Sequence, residues 1–109
     1  MNYAIELSVL VRGGMETAAF DLAFDAIADA LYDCDGVEDA DLAGDSSSSV
    51  LTFTMNVLNV TNPEQAIATA FGVVRTALHV SGGTTEGWED QFEFIRQSIE
   101  AESNSLVGA

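Results

Sequence analysis

Four aspartates spaced four apart, Asp21, Asp25, Asp29 and Asp33, form the sharpest chemical pattern in this chain of 109 residues. On an α-helix that spacing sets carboxylates along one slowly rotating stripe. Each like-charged i, i+4 pair opposes the helix by about 0.2–0.5 kcal/mol, so the ladder does not serve helix stability. The chemistry open to it is electrostatic: docking a basic protein partner, with Leu22 near the middle of the stripe as a small apolar anchor. The competing reading is a solvated face in an acid-rich chain. A third reading is imitation of a nucleic-acid backbone, because four helical residues rise about 6 Å, close to twice the per-strand phosphate spacing. Any acidic helix with this spacing shares that coincidence.

The other reactive side chains are sparse. His79 is the sole histidine. It falls one turn after Arg75, where a cation favours the C-terminal end of a helix. Arg75, His79 and Trp88 are a candidate small pocket beside the Gly82-Gly83 turn. Catalysis by His79 would need a nucleophile or an acid, and only Ser81, Thr84 and Glu89 are near in sequence, in no spacing that assembles a site. The one cysteine, Cys34, excludes an internal disulfide and any multi-cysteine zinc site. It falls on the apolar side of the first helix and reads as a buried, inert thiol. The carboxylate-dense stretch from Asp33 to Asp41 suits calcium in ligand type, but Gly36 is misplaced for an EF-hand loop. Gly13-Gly14 lacks the lysine of a phosphate-binding loop. No cofactor, no metal and no catalytic residue is expected, and the chain reads as a non-enzyme.

Composition narrows the partners. Eighteen acids stand against three basic residues, all arginine, for a formal net charge of −15. Direct binding of nucleic acid or of an anionic membrane surface is excluded on charge. No run of about 18 apolar residues is available to span a bilayer. The first residues, Met1-Asn2-Tyr3, lack the basic region of a secretory signal, so a cytoplasmic chain is expected. With 48% hydrophobic residues, one domain can still bury a core.

The elements that must position these groups follow from periodicity. Residues 2–12 alternate, with Tyr3, Ile5, Leu7, Val9 and Val11 on one face, and predict a half-buried strand ended at Gly13-Gly14. Residues 16–34 turn helical, with Phe20, Phe24, Ile27 and Leu31 as the apolar stripe and Gly36 as a left-handed cap. A weaker, acid-rich edge strand is expected over 37–43, with Ala40 and Leu42 inward. A loop holding Ser46 to Ser49 leads to a strong strand over 50–60, with Leu51, Phe53, Met55 and Val57 inward.

Asn62-Pro63-Glu64-Gln65 predicts a second helix start, with Asn as N-cap and Gln reaching back. Ile67, Phe71, Val74 and Leu78 form its stripe, and Gly82-Gly83 stops it. Over residues 88–101, Trp88, Phe92, Ile95 and Ile99 fit a helical stripe, yet 92–101 also serves as a closing strand. The strand is the favoured reading. The pattern is then βαββαβ, an α+β ferredoxin-like sandwich with two helices on one face of an antiparallel sheet. A single domain is expected over 1–102, with 103–109 a flexible tail.

The segment Arg75-Thr76-Ala77-Leu78-His79, with Gly82-Gly83-Thr84 and Gly87-Trp88-Glu89, resembles a stretch of short uncharacterised proteins from actinobacteria and their phages. The resemblance implies the same βαββαβ order and a closing strand, and it implies no catalytic or ligand residues.

Two function classes follow. The leading expectation is a non-enzymatic acidic protein-interaction domain, from a phage or mobile element acting on a bacterial host protein. It would bind through Asp21, Leu22, Asp25, Asp29 and Asp33. The alternative is a small-molecule-sensing regulatory domain. A homodimer is expected in either case, formed by pairing two edge strands or two of the sheet faces that the helices leave open, where alternation sets Leu10, Leu58 and Val60.

Overall fold

Alternation decides the two central strands. The computed structural model describes residues 1–12, 16–83 and 87–102. The expected turn at Gly13-Gly14 and the tail over 103–109 lie outside the described residues. The order is β1 (Asn2–Val11), α1 (Thr17–Tyr32), β2 (Val37–Asp45), β3 (Val50–Val57), α2 (Pro63–Gly82), a 3-10 turn (Glu89–Gln91) and β4 (Phe92–Glu102). β1 buries Tyr3, Ile5, Leu7, Val9 and Val11, and β3 buries Leu51, Phe53, Met55 and Val57. The two run antiparallel, with Leu7 opposite Phe53. The sheet order is β2-β3-β1-β4, every neighbouring pair antiparallel. This is the βαββαβ ferredoxin-like arrangement, and the closing segment is a strand. No helix among the described residues is long and apolar enough to cross a membrane.

α1 presents Phe20, Ile27 and Leu31 to the core as its spacing predicts. Phe24 is only half-buried: its ring lies over Gly44 of β2, where a Cβ would stand 2.8 Å from Phe24 Cδ2. The helix stops at Tyr32 because the chain tightens there, Cys34 N–H donating to Leu31 O at 3.0 Å. Gly36, at φ +92°, therefore turns the chain into β2 rather than capping the helix.

α2 begins at the expected cap: Asn62 Oδ1 accepts from Gln65 N–H at 2.8 Å, and Gln65 Oε1 accepts from Thr61 N–H at 3.0 Å. Its buried stripe is Ala66, Ala70, Val73, Val74, Ala77 and Leu78, whereas Ile67 and Phe71 only flank the core. The alanines let α2 sit close to the sheet, so the larger side chains are turned to its sides.

β3 ends earlier than the alternation predicts. Asn59 takes φ +57°, and Val60 turns inward into the core at 7% exposure, its N–H donating to Met1 O. Val60 is therefore not on the open sheet face.

Candidate functional site

The outer side of α1 carries the aspartate ladder. Asp21, Asp25 and Asp29 are exposed on the helix, and exposed Asp33 follows as its C-cap. Leu22, at 72% exposure, stands beside them as a large apolar side chain with no core role. Tyr32 is also exposed, and its hydroxyl donates to Asp41 Oδ1 at 3.2 Å, tying α1 to β2. Desolvation, then that hydrogen bond and the Asp41 charge, hold the Tyr32 phenol above its ordinary value.

At the end of the ladder lies a groove that sequence reasoning missed. Ala30, Asp33, Cys34 and Asp35 form one wall, and Thr69, Gly72, Val73, Thr76 and Val80 of α2 form the other, of an open groove of about 490 Å³. Gly72 creates part of this space, since a Cβ there would meet nothing within 4 Å. Val80, at 59% exposure, supplies an apolar rim. Cys34 lies on the wall, half-buried, its thiol donating to Ala30 O at 3.4 Å. Desolvation, then the charges of Asp33 and Asp35, push this thiol above its ordinary pKa. Less thiolate means a poorer nucleophile. Only a glycine between apolar helix positions marked this groove in the sequence.

Of the candidate pocket residues, Arg75 and Trp88 are held by different neighbours. The Arg75 guanidinium carbon lies 5.4 Å from the Phe71 ring centroid and 5.7 Å from that of Phe94, over the β4 edge. Trp88 instead closes the end of α2: its indole N–H donates to Leu78 O at 2.8 Å. That ring also occupies the space a side chain at Gly82 would need. His79 is exposed in the last turn of α2. Ser81 donates its hydroxyl to Leu78 O, while Thr84 and the Glu89 side chain lie outside the described residues.

The sheet face away from the helices is a second surface. Register sets Ala43, Thr52, Ser8 and Arg96 in one row across the four strands, and Asp41, Thr54, Glu6 and Ser98 in the next. The apolar patch expected there is reduced to half-buried Leu10 and Val50 and the exposed Ile95, which the β4 irregularity opposite Ser8 and Val9 brings to the edge. Leu58 lies past the end of β3, beside Gly36 and Asn59.

No family model matches this chain, and no curated protein matches it. Among solved structures it is similar to the structural-genomics protein YjcS, with a TM-score of 0.61 and 8% identity, covering 94% of this chain and 100% of that one. It is also aligned with Rv0793 from Mycobacterium tuberculosis, with a TM-score of 0.46 and 16% identity, covering 95% and 97%. At such identity the likeness to YjcS speaks to the fold alone.

Proposed function

We propose that the chain is a non-enzymatic binding module that docks a basic protein partner on the outer face of α1. The supporting observation is the junction of two features: the exposed aspartate ladder leads into an apolar groove rimmed by Asp33 and Asp35. From Asp21 to Asp33 the helix rises about 18 Å, enough to meet several cations of a partner. A net charge of −15 attracts such a partner from beyond contact, within a Debye length of about 8 Å at physiological salt. Coulomb attraction alone lacks a fixed register, and apolar anchors supply one. Leu22 offers an anchor to the partner, and the groove receives one from it. The resemblance of residues 75–89 to actinobacterial and phage proteins supports a search among bacterial proteins for the partner.

The test is capture from lysates of the natural host with wild-type protein, Asp25→Asn/Asp29→Asn and Leu22→Asp, read by quantitative mass spectrometry. A basic protein retained by the wild type and lost from both variants is the expected result. Identical capture by all three, with all three folded, would remove the α1 face from the function.

A further inference from the structure

The chain has three arginines, and the structure accounts for two. Arg12 Nε lies 3.3 Å from Glu93 Oε1, and Arg75 covers two phenylalanine rings. Arg96 makes no ion pair among the described residues, although the chain carries 18 acids. It lines a concavity of about 510 Å³ on the uncovered sheet face, together with Glu6, Ser8 and Thr52. That volume lies within the range of about 300–1,000 Å³ usual for small-molecule sites.

Charge selects the ligand class. Asp45 also lines the concavity and is held ionised by its hairpin, but on β2 it stands at the opposite edge of the sheet from Arg96 on β4. Oδ1 accepts from Ser47 N–H at 3.0 Å and Ser47 O–H at 2.6 Å. Glu6 remains as the carboxylate facing Arg96. The two belong to adjacent rows: Arg96 pairs with Ser8, two residues along β1 from Glu6. Two residues of strand span about 6.6 Å, so their charged ends can bracket one small molecule carrying both signs. A simple anion would meet Glu6 and the field of a chain at −15, and a simple cation would meet Arg96.

We infer that this concavity binds a zwitterionic small molecule of amino-acid size, Arg96 taking its carboxylate and Glu6 its ammonium. Ser8, at 6% exposure beside Arg96, and Thr52, on the far side of Ser8, also line the concavity with their hydroxyls, and Val50 and Ile95 offer apolar contact to a side chain. The site is on the opposite side of the sheet from the helix face and stands independently of the partner-binding reading.

The probes are glycine, L-leucine, 4-methylpentanoate (leucine without its amine) and isoamylamine (leucine without its carboxylate), each followed by calorimetry and thermal shift. At least one of the two amino acids is expected to bind saturably and raise Tm. For leucine, each single-charge analogue is expected to bind about tenfold or more weakly. Arg96→Gln, folded by circular dichroism, should bind the bound amino acid no better than wild type binds isoamylamine, and Glu6→Gln no better than wild type binds 4-methylpentanoate. The inference is overturned if neither amino acid binds at millimolar concentration. It is equally overturned if 4-methylpentanoate binds as tightly as leucine, or if both variants bind like the wild type.

Discussion

Two glycines in α2 are expected to respond to the same substitution with opposite signs. Gly72 is exposed on the groove wall, and a Cβ built there meets nothing within 4 Å. Gly72→Ala therefore adds no clash and removes the backbone entropy cost of a helical glycine, a gain of about 0.5–1 kcal/mol. Gly82 is buried at the last helical position, and its Cβ would occupy the Trp88 indole. Gly82→Ala must displace that ring, breaking the 2.8 Å bond from Trp88 Nε1 to Leu78 O and disturbing its edge contact with Phe92 at 5.3 Å. Overpacking costs about 1–3 kcal/mol, more than any helix-propensity gain can offset. For a domain this size each kcal/mol moves Tm by roughly 4 °C. Thermal melts by circular dichroism should then rise by a few degrees for Gly72→Ala and fall by about 4–12 °C for Gly82→Ala. Trp88 fluorescence should shift to the red only in the second variant. A loss of stability in Gly72→Ala would refute the open groove, and an unchanged Gly82→Ala would refute the seating of Trp88.

Phe53 is fully buried, so Phe53→Ala should cost about 3–5 kcal/mol; Phe24→Ala, at a half-buried ring over Gly44, should cost clearly less, and urea midpoints compare the two. The raised Cys34 pKa means that the folded state holds its thiol proton more tightly than the unfolded chain. That stability is fully present below the unfolded value of about 8.5 and is lost as pH rises through the higher folded value. Wild type should thus lose more stability than Cys34→Ser between neutral and alkaline pH, and parallel urea curves for the two would contradict it. Replacing Asp25 and Asp29 by Asn relieves all three i, i+4 repulsions of the ladder and should raise stability by about 0.5–1.5 kcal/mol, as a thermal melt will show.

Much of the fold was legible because strand alternation is a local signal. Tyr3 to Val11 and Leu51 to Val57 carry it without interruption, and both strands bury the faces it predicts. The closing strand was ambiguous for a physical reason. The register irregularity opposite Ser8 and Val9 leaves Ile95 out of step, so Phe92, Ile95 and Ile99 imitate helical spacing within a strand. In α2 the large side chains Ile67 and Phe71 carry the visible helical period, while the buried alanines that make the close contact are too small to mark it. Neither surface feature could be read from one segment. The groove needs α1 and α2 side by side, and the placing of Arg96 and Glu6 around one concavity needs the register of β4 on β1. The aspartate ladder is different: four-residue spacing alone sets its exposed stripe.

The central claim is that the outer face of α1 attracts and orients a basic partner, and association kinetics test it most directly. With the captured partner immobilised, on-rates are measured over a series of salt concentrations for wild type, Asp25→Asn/Asp29→Asn and Leu22→Asp. The aspartate double variant is expected to associate more slowly with a shallower salt dependence, and Leu22→Asp to dissociate faster. A double variant that is more stable than wild type and keeps the same on-rate at every salt concentration would contradict the claim and leave the ladder as a solvated face.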